Sequence, residues 1–243
     1  MIDELLGSYY IAKKDLKEYY FKPGTISWGL VFPIAFTLAF FIRHGGSSTW
    51  LAPGMISLAI FFGATSMSGM SLVFERRIGS FERLLLFPIS YTGIALGKTL
   101  SSFLFGIISA VPVIILAFIL VPIPPSNPLL LITSIAVATL LSSTFGVLLS
   151  FSVNDPSQIM IVFNLVRFPM MFLSDTIIPV ASLPELFRVI ALAMPLTYMT
   201  ESIRYSYITA YDLVPPLPSI ALQILLSIIF LFVTSRLIKS KIP

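Results

Sequence analysis

The chain contains no cysteine and a single histidine, His44. Without cysteine there are no disulfides, no thiolate zinc sites and no cysteine nucleophile, and one histidine poorly supplies a catalytic triad or an imidazole metal site. Charge is scarce as well: only 11% of the 243 residues are Asp, Glu, Lys or Arg, against roughly 25% in a soluble domain. That is too little polar surface to wrap a water-soluble body of this size. Apolar residues take its place, at 57% of the chain with a mean hydropathy of +0.98. Uncharged runs exceed the roughly 18 to 20 residues that a bilayer core demands, so the sequence reads as an all-α, multi-pass membrane protein. The formal net charge of +4 is not a nucleic-acid signal, because the Lys and Arg cluster beside apolar runs, where they set orientation. The amino-terminal residues mix acids, bases and tyrosines and lack the apolar core of a signal peptide.

Hydropathy divides the chain into a cytoplasmic amphipathic segment, 1–24, and a six-span region, 25–243, with spans at about 25–42, 51–74, 99–120, 129–151, 157–178 and 219–235. The middle of the second span, from Gly63 to Ser71, is built of small residues and Met, which permits close helix contact. Thr99 to Asn154 carries no charge and is too long for one helix. The prolines between Val121 and Pro128 cut it into a hairpin of two spans. Pro179 to Asp212 holds Glu185, Arg188, Glu201, Arg204 and Asp212 between short apolar stretches, and is expected at a surface. Ser182 and Glu185 have capping-box spacing, which predicts a short helix there and a second one after Pro195.

Lys13, Lys14, Lys17, Lys22, Arg76, Arg77, Arg83, Lys98, Arg236, Lys239 and Lys241 fall on one side of six spans, against Arg43, Arg188 and Arg204 on the other. The positive-inside tendency then places both termini in the cytoplasm, with the spans in the cell membrane. Leu5, Tyr9, Ala12, Leu16 and Tyr19 recur at helical spacing, the pattern of an interfacial amphipathic helix; the alternative is a solvated tail. Trp28, Trp50, Tyr91, Tyr198, Tyr205 and Tyr207 fall near span ends, as in interfacial aromatic belts. His44, beside two glycines in an outer loop, reads as a plain surface residue.

The most informative stretch runs from Glu75 to Pro88 and on to Gly97-Lys98: a short charged loop tied at both ends to membrane helices. Such a loop can carry force from a soluble partner to two spans at once. Here the sequence resembles the permease subunits of type 2 ATP-binding-cassette transporters. The acid, Gly-Ser, acid, Leu-Leu, Pro and Gly-Lys of that family's loop correspond to Glu75, Gly79-Ser80, Glu82, Leu84-Leu85, Pro88 and Gly97-Lys98. A second match follows the fifth span, at Phe172-Leu-Ser174, Pro179, Ser182-Leu-Pro184, Pro195-Leu-Thr-Tyr198 and Arg204. Asp175 departs from the pattern by replacing a glycine, and Met194 by replacing an asparagine.

The resemblance implies an exporting half-transporter, in which two six-span subunits (a second copy or a homologous one) meet in the bilayer. Each rests on a separate ATPase subunit that binds ATP and magnesium. It also implies that the loop couples to that ATPase, with Glu75, Arg76, Arg77, Gly79, Glu82 and Pro88 as the coupling set: charges to dock the partner, Gly for a tight turn, Pro to end a short helix. The chain itself is then no enzyme and holds no cofactor, metal or nucleic acid. Gly93 to Thr99 is too short between its glycines for a phosphate-binding loop, and no strand precedes it.

Arg167 falls near the bilayer centre of the fifth span, where a guanidinium facing lipid is costly, so it must face protein or water. Asn164 and Met171 share its face, Asp175 lies two turns outward, and Pro169 frees a backbone carbonyl. Two readings stand side by side. Either these four residues line a pathway or dimer seam that meets an anionic or polar substrate, or Arg167 is a structural lock. An ion-coupled carrier using Arg167 and Asp175 without an ATPase is the alternative function.

Overall fold

The computed structural model describes residues 2–43 and 49–240, with side chains from Glu4 onward; His44 and Lys241 lie outside them. Among the described residues the regular elements are all helical, and six helices are long and apolar enough to cross a membrane. Helix α1 (Ile2–Tyr19) precedes the first span, which joins α2 (Pro23–Ile26), a π-helical turn (Ser27–Val31) and α3 (Phe32–Arg43). The second span is α4 (Leu51–Arg77), followed by the short α5 (Ser80–Leu84) and the third span, α6 (Tyr91–Leu120). Then come α7 (Pro128–Ser150), a 3-10 turn (Pro156–Gln158) leading into α8 (Ile159–Leu173), the pair α9 (Glu185–Leu192) and α10 (Pro195–Ile208), and the last span, α11 (Pro216–Ser240).

Helix α4 is the axis of the bundle, its apolar stretch entirely buried. The small residues between Gly63 and Ser71 make this possible. A β-carbon on Gly63 would collide with Ser109 of α6, and one on Gly146 of α7 would collide with Ser68 and Thr65. Ser109 Oγ donates to the carbonyls of Gly29 and, at 3.1 Å, Ala59, tying the first three spans together where lipid supplies no hydrophobic drive. The outer faces of α6, α7 and α11 stay apolar and bare, as at Ile119, Ile132 and Ile228, which is the face a bilayer would cover. Ser90 caps α6 by accepting from the Gly93 amide, and Asn127 caps α7 by accepting from that of Leu130.

Several sequence expectations are corrected. The third span's helix begins at Tyr91, well before Thr99. The fifth stops at Leu173 rather than running to Ile178, because Asp175 takes a left-handed backbone, φ 61°. The capping box does not form: Ser182 donates instead to the Pro179 carbonyl at 2.6 Å, and α9 starts behind Pro184 with no side-chain cap.

Helix α10 is not a surface element. It meets α9 at 87° and turns into the bundle, with Leu196 to Arg204 continuously buried. Its charges are tolerated because they find partners inside. Glu201 accepts from the amides of Asp212 (2.8 Å) and Leu213 (2.6 Å), and Gln223 of α11 donates to the Tyr198 carbonyl at 2.9 Å. Tyr198 and Tyr207 are likewise buried rather than part of an outer belt.

Candidate functional site

Helix α1 lies against α6, with Ser8, Ile11, Ala12, Asp15 and Tyr19 buried, whereas Leu5 and Tyr9 of the expected stripe face outward. Close approach is needed at Gly97, where a β-carbon would stand 2.8 Å from Ile11 Cβ and 2.9 Å from the Ser8 carbonyl oxygen. One helical turn on, this contact buries charge. Lys98 Nζ donates to both oxygens of Asp15, at 3.0 and 2.9 Å, and to Glu75 Oε2 at 2.5 Å. Ser101 Oγ donates to Asp15 at 3.2 Å. Lys14 closes the cluster by donating to Glu75 from the rim. Two acids and two bases thus neutralise one another out of water, the arrangement in which buried charge is sustainable. Burial alone would lower the Lys14 pKa, but Asp15 and Glu75 together outweigh it and hold the ammonium above its ordinary range.

The cluster joins α1, the end of α4 and the start of α6, the two roots of the loop that carries α5. A second tie comes from Arg76, whose guanidinium donates to Asn154 Oδ1 at 2.9 Å and the Val153 carbonyl at 3.3 Å, fixing the end of α4 to the turn before the fifth span. Beyond these roots the loop projects. Gly79 takes φ 72°, a left-handed turn that a side chain would strain. Phe81 is buried among Ile11, Leu72 and Ile94, while Arg77, Ile78, Glu82, Arg83, Leu86, Phe87 and Pro88 are exposed. The short helix closes at Leu84, ahead of Pro88. Beside it lies an apolar groove of about 460 Å³ whose lining includes Tyr10, Ile11, Lys14, Leu84 and Phe87. Glu75 lies inside the bundle, so its carboxylate is not part of this exposed surface.

Arg167 is fully buried in α8. Phe62 and Phe163 face its guanidinium at 5.0 and 5.1 Å, and Nη1 lies 3.4 Å from Asn164 Oδ1. Nε and Nη2 have no hydrogen-bond partner among the described residues. Met171 is buried on the same helix, whereas Ile161 and Leu165 of the opposite face are bare.

Asp175 does not reach Arg167. It is ion-paired with Arg204 of α10, which also donates to the Asp175 carbonyl at 2.5 Å and stacks on Trp50 at 3.8 Å. The relay from Arg167 to Asp175 that a carrier would use is therefore not formed. Trp50, expected in an interfacial belt, carries the Arg204 guanidinium on its ring.

Across residues 8–208 the sequence matches the family model of the ABC-2 type transporter. The chain belongs to that family. Among curated relatives, the protein named "Putative transport permease ycf38" of Porphyra purpurea is 25% identical over 200 residues, covering 76% of this chain and 68% of its own. The Pyropia yezoensis protein of that name is 24% identical over the same coverage, and the one from Cyanophora paradoxa is 26% identical over 160 residues, 64% of this chain and 54% of its own.

Within this ABC-2 type protein, the six expected coupling residues share the α4–α6 connection, and Asn164, Arg167 and Met171 share α8, while Asp175 belongs to the α10 side. Sequence reasoning missed Asp15, Lys14, Glu201 and the inward role of Lys98, which it took as a topology anchor. A signal existed for Lys98: a lone lysine opening a run with no other charge for more than fifty residues is a candidate for internal pairing.

Proposed function

We propose that the chain is the permease subunit of an ATP-driven exporter, working as a dimer of six-span halves with separate ATPase subunits that bind ATP and magnesium. Both termini then lie in the cytoplasm and the spans in the cell membrane. The observation that carries this reading is the clamped loop. Exposed charged and apolar residues between Arg76 and Pro88 hang from two spans that Lys98, Glu75 and Asp15 hold as one body. Force applied by a nucleotide-driven partner at Arg77, Glu82, Leu86 and Phe87 would reach α4 and α6 together rather than dissipate in a flexible linker. Since α4 is the buried axis of the subunit, moving it would shift the whole half against its neighbour. In this scheme Glu75 acts as an internal strut, Gly79 as the turn, and Arg76 as the tie to the fifth span.

The test is co-purification with the cognate cassette ATPase followed by its turnover in nanodiscs. The permease is expected to capture the ATPase and change its rate, and Glu82→Lys is expected to abolish that change while the chain still inserts. Unaltered coupling in Glu82→Lys would remove the loop from the interface. Cargo movement without any nucleotide-consuming partner would remove the class.

A further inference from the structure

At the end of the bundle that carries the α5 loop, the last turns of α7 are left partly uncovered. Positions 145, 148, 149 and 152 recur at three- and four-residue spacing and so share one stripe. Further along α7 that stripe continues through Ser134, Ala138 and Leu141, which are buried. There α10 supplies the cover, with Ser134 Oγ 3.3 Å from the Ser202 carbonyl and 3.1 Å from Ser206 Oγ. Helix α10 begins at Pro195, so its cover stops short of the last turns of α7. What remains is a groove of about 390 Å³ lined by Phe145, Leu148, Leu149, Phe151 and Ser152, with Leu237 of α11 as one wall.

The edge of this groove is cationic. Arg76 holds its guanidinium 5.6 Å from the Phe151 ring. It donates to Val153 and Asn154, the residues directly after Ser152, and a guanidinium has five N–H groups, so three remain. Arg236 precedes Leu237, is exposed, and lies over Phe232 at 5.0 Å; Lys239 is exposed on the same end of α11. Among the described residues no ion pair includes Arg76, Arg236 or Lys239. Two acids stand near: Glu82 attracts the Arg76 charge through space, and the exposed Asp155 accepts from the Ser157 amide at 3.0 Å.

Charge decides between the occupants such a groove could take. A second copy of this chain would bring the same surplus of Lys and Arg to the edge, and residues 241–243 would bring Lys241, so either would set cation against cation. A soluble anion would leave the apolar walls unfilled. An amphiphile with a hydrocarbon chain and a phosphate head suits both halves, because phosphate oxygens match the N–H fork of arginine and basic pockets beside membrane helices attract anionic headgroups.

We propose that this groove holds one anionic phospholipid of the surrounding bilayer, an acyl chain lying along Phe145, Leu148 and Leu237 and the phosphate pairing with Arg76 and Arg236. Arg76 also ties the end of α4 to the turn before the fifth span, so the headgroup charge sits at a root of the α5 loop. The site does not depend on the permease reading.

The full chain in dodecyl maltoside is titrated with phosphatidylglycerol, phosphatidylcholine and inorganic phosphate, and retained molecules are counted by native mass spectrometry. One phosphatidylglycerol per chain is expected, held at least about fivefold more tightly than phosphatidylcholine. Arg236→Gln, which breaks no hydrogen bond, should cut that preference about fivefold; Arg76→Gln should do the same if it folds. Leu148→Trp, which fills the groove, should weaken both lipids. Lys13→Gln with Lys17→Gln, on the exposed side of α1, should leave the preference unchanged. Equal retention of the two lipids, or an undiminished preference in Arg236→Gln, would overturn the headgroup site. An equal fall in the Lys13 and Lys17 variant would assign the preference to diffuse surface charge, and undiminished binding in Leu148→Trp would move the lipid elsewhere. Equal retention of inorganic phosphate would overturn the amphiphile, and retention of no lipid would leave the groove to residues 241–243 or a second copy.

Discussion

Lys98 Nζ lies 2.5 Å from Glu75 Oε2, joining the first turns of α6 to the last turn of α4. The pair spans the roots of the α5 loop, and neither side chain touches solvent. Lys98→Met would leave Asp15 and Glu75 buried with only Lys14 between them. Removing one partner of such a cluster costs on the order of 3–5 kcal/mol. A clear fall in the melting temperature in nanodiscs is expected. The triple variant Lys98→Met, Glu75→Gln, Asp15→Asn should recover much of it, because neutral groups of similar shape need no counter-charge. A single variant as stable as the wild type would mean the cluster clamps nothing.

Lys14 makes the same cluster sensitive to alkali. Its folded pKa is held above the ordinary value by Asp15 and Glu75 against the opposing effect of burial. The sign follows from linkage: the stabilisation is fully present below the unfolded value of about 10.4 and is lost as pH rises through the higher folded value. Unfolding temperature should therefore decline above about pH 10, and Lys14→Met should flatten that part of the profile. An identical alkaline decline in both proteins would assign the effect elsewhere.

Much of the fold was legible because lipid imposes a simple rule: apolar runs of spanning length, broken by proline and charge, become helices. The small-residue centre of α4 announced close packing, and Gly79 its turn. Charged positions were harder, since a sequence shows which side chains carry charge but not which of them meet. Glu201 and Arg204 read as surface residues until α10 turned inward and supplied them with amides and Asp175. Glu75 read as a docking charge for the same reason, as its partners Lys98 and Lys14 lie 23 and 61 residues away along the chain and meet only when α1 folds back on α6.

Gly79 has φ 72° at the junction of α4 and α5, a conformation that costs an ordinary L residue roughly 1–2 kcal/mol. Nothing but the side chain of Glu82, 3.8 Å away, would meet a β-carbon there, so the penalty is backbone strain alone. Gly79→Val should leave the melting temperature of the spans nearly unchanged. It should reorient α5 and weaken stimulation of the partner ATPase, whereas Gly79→Asn, which tolerates the left-handed region, should retain most of it. Equal stimulation by the valine and asparagine variants would show that the turn does not aim the loop.

Asp175 occupies a left-handed position, φ 61°, directly against α4, where a β-carbon on Gly54 would collide with the Thr176 carbonyl. A glycine would suit that backbone better, so the aspartate must return more than it costs, and its return is the pair with Arg204. Asp175→Gly should relieve about 1–2 kcal/mol of backbone strain yet strand a buried guanidinium on Trp50, a loss of about 3–5 kcal/mol, for a net destabilisation. Arg204→Leu alone should also destabilise, by leaving the carboxylate unpaired. Combining Asp175→Gly with Arg204→Leu removes both charges and the strain, so the double variant should melt above either single one. Additive losses in that cycle would show that the two residues stabilise the bundle independently, and the strain at Asp175 would then need another compensation.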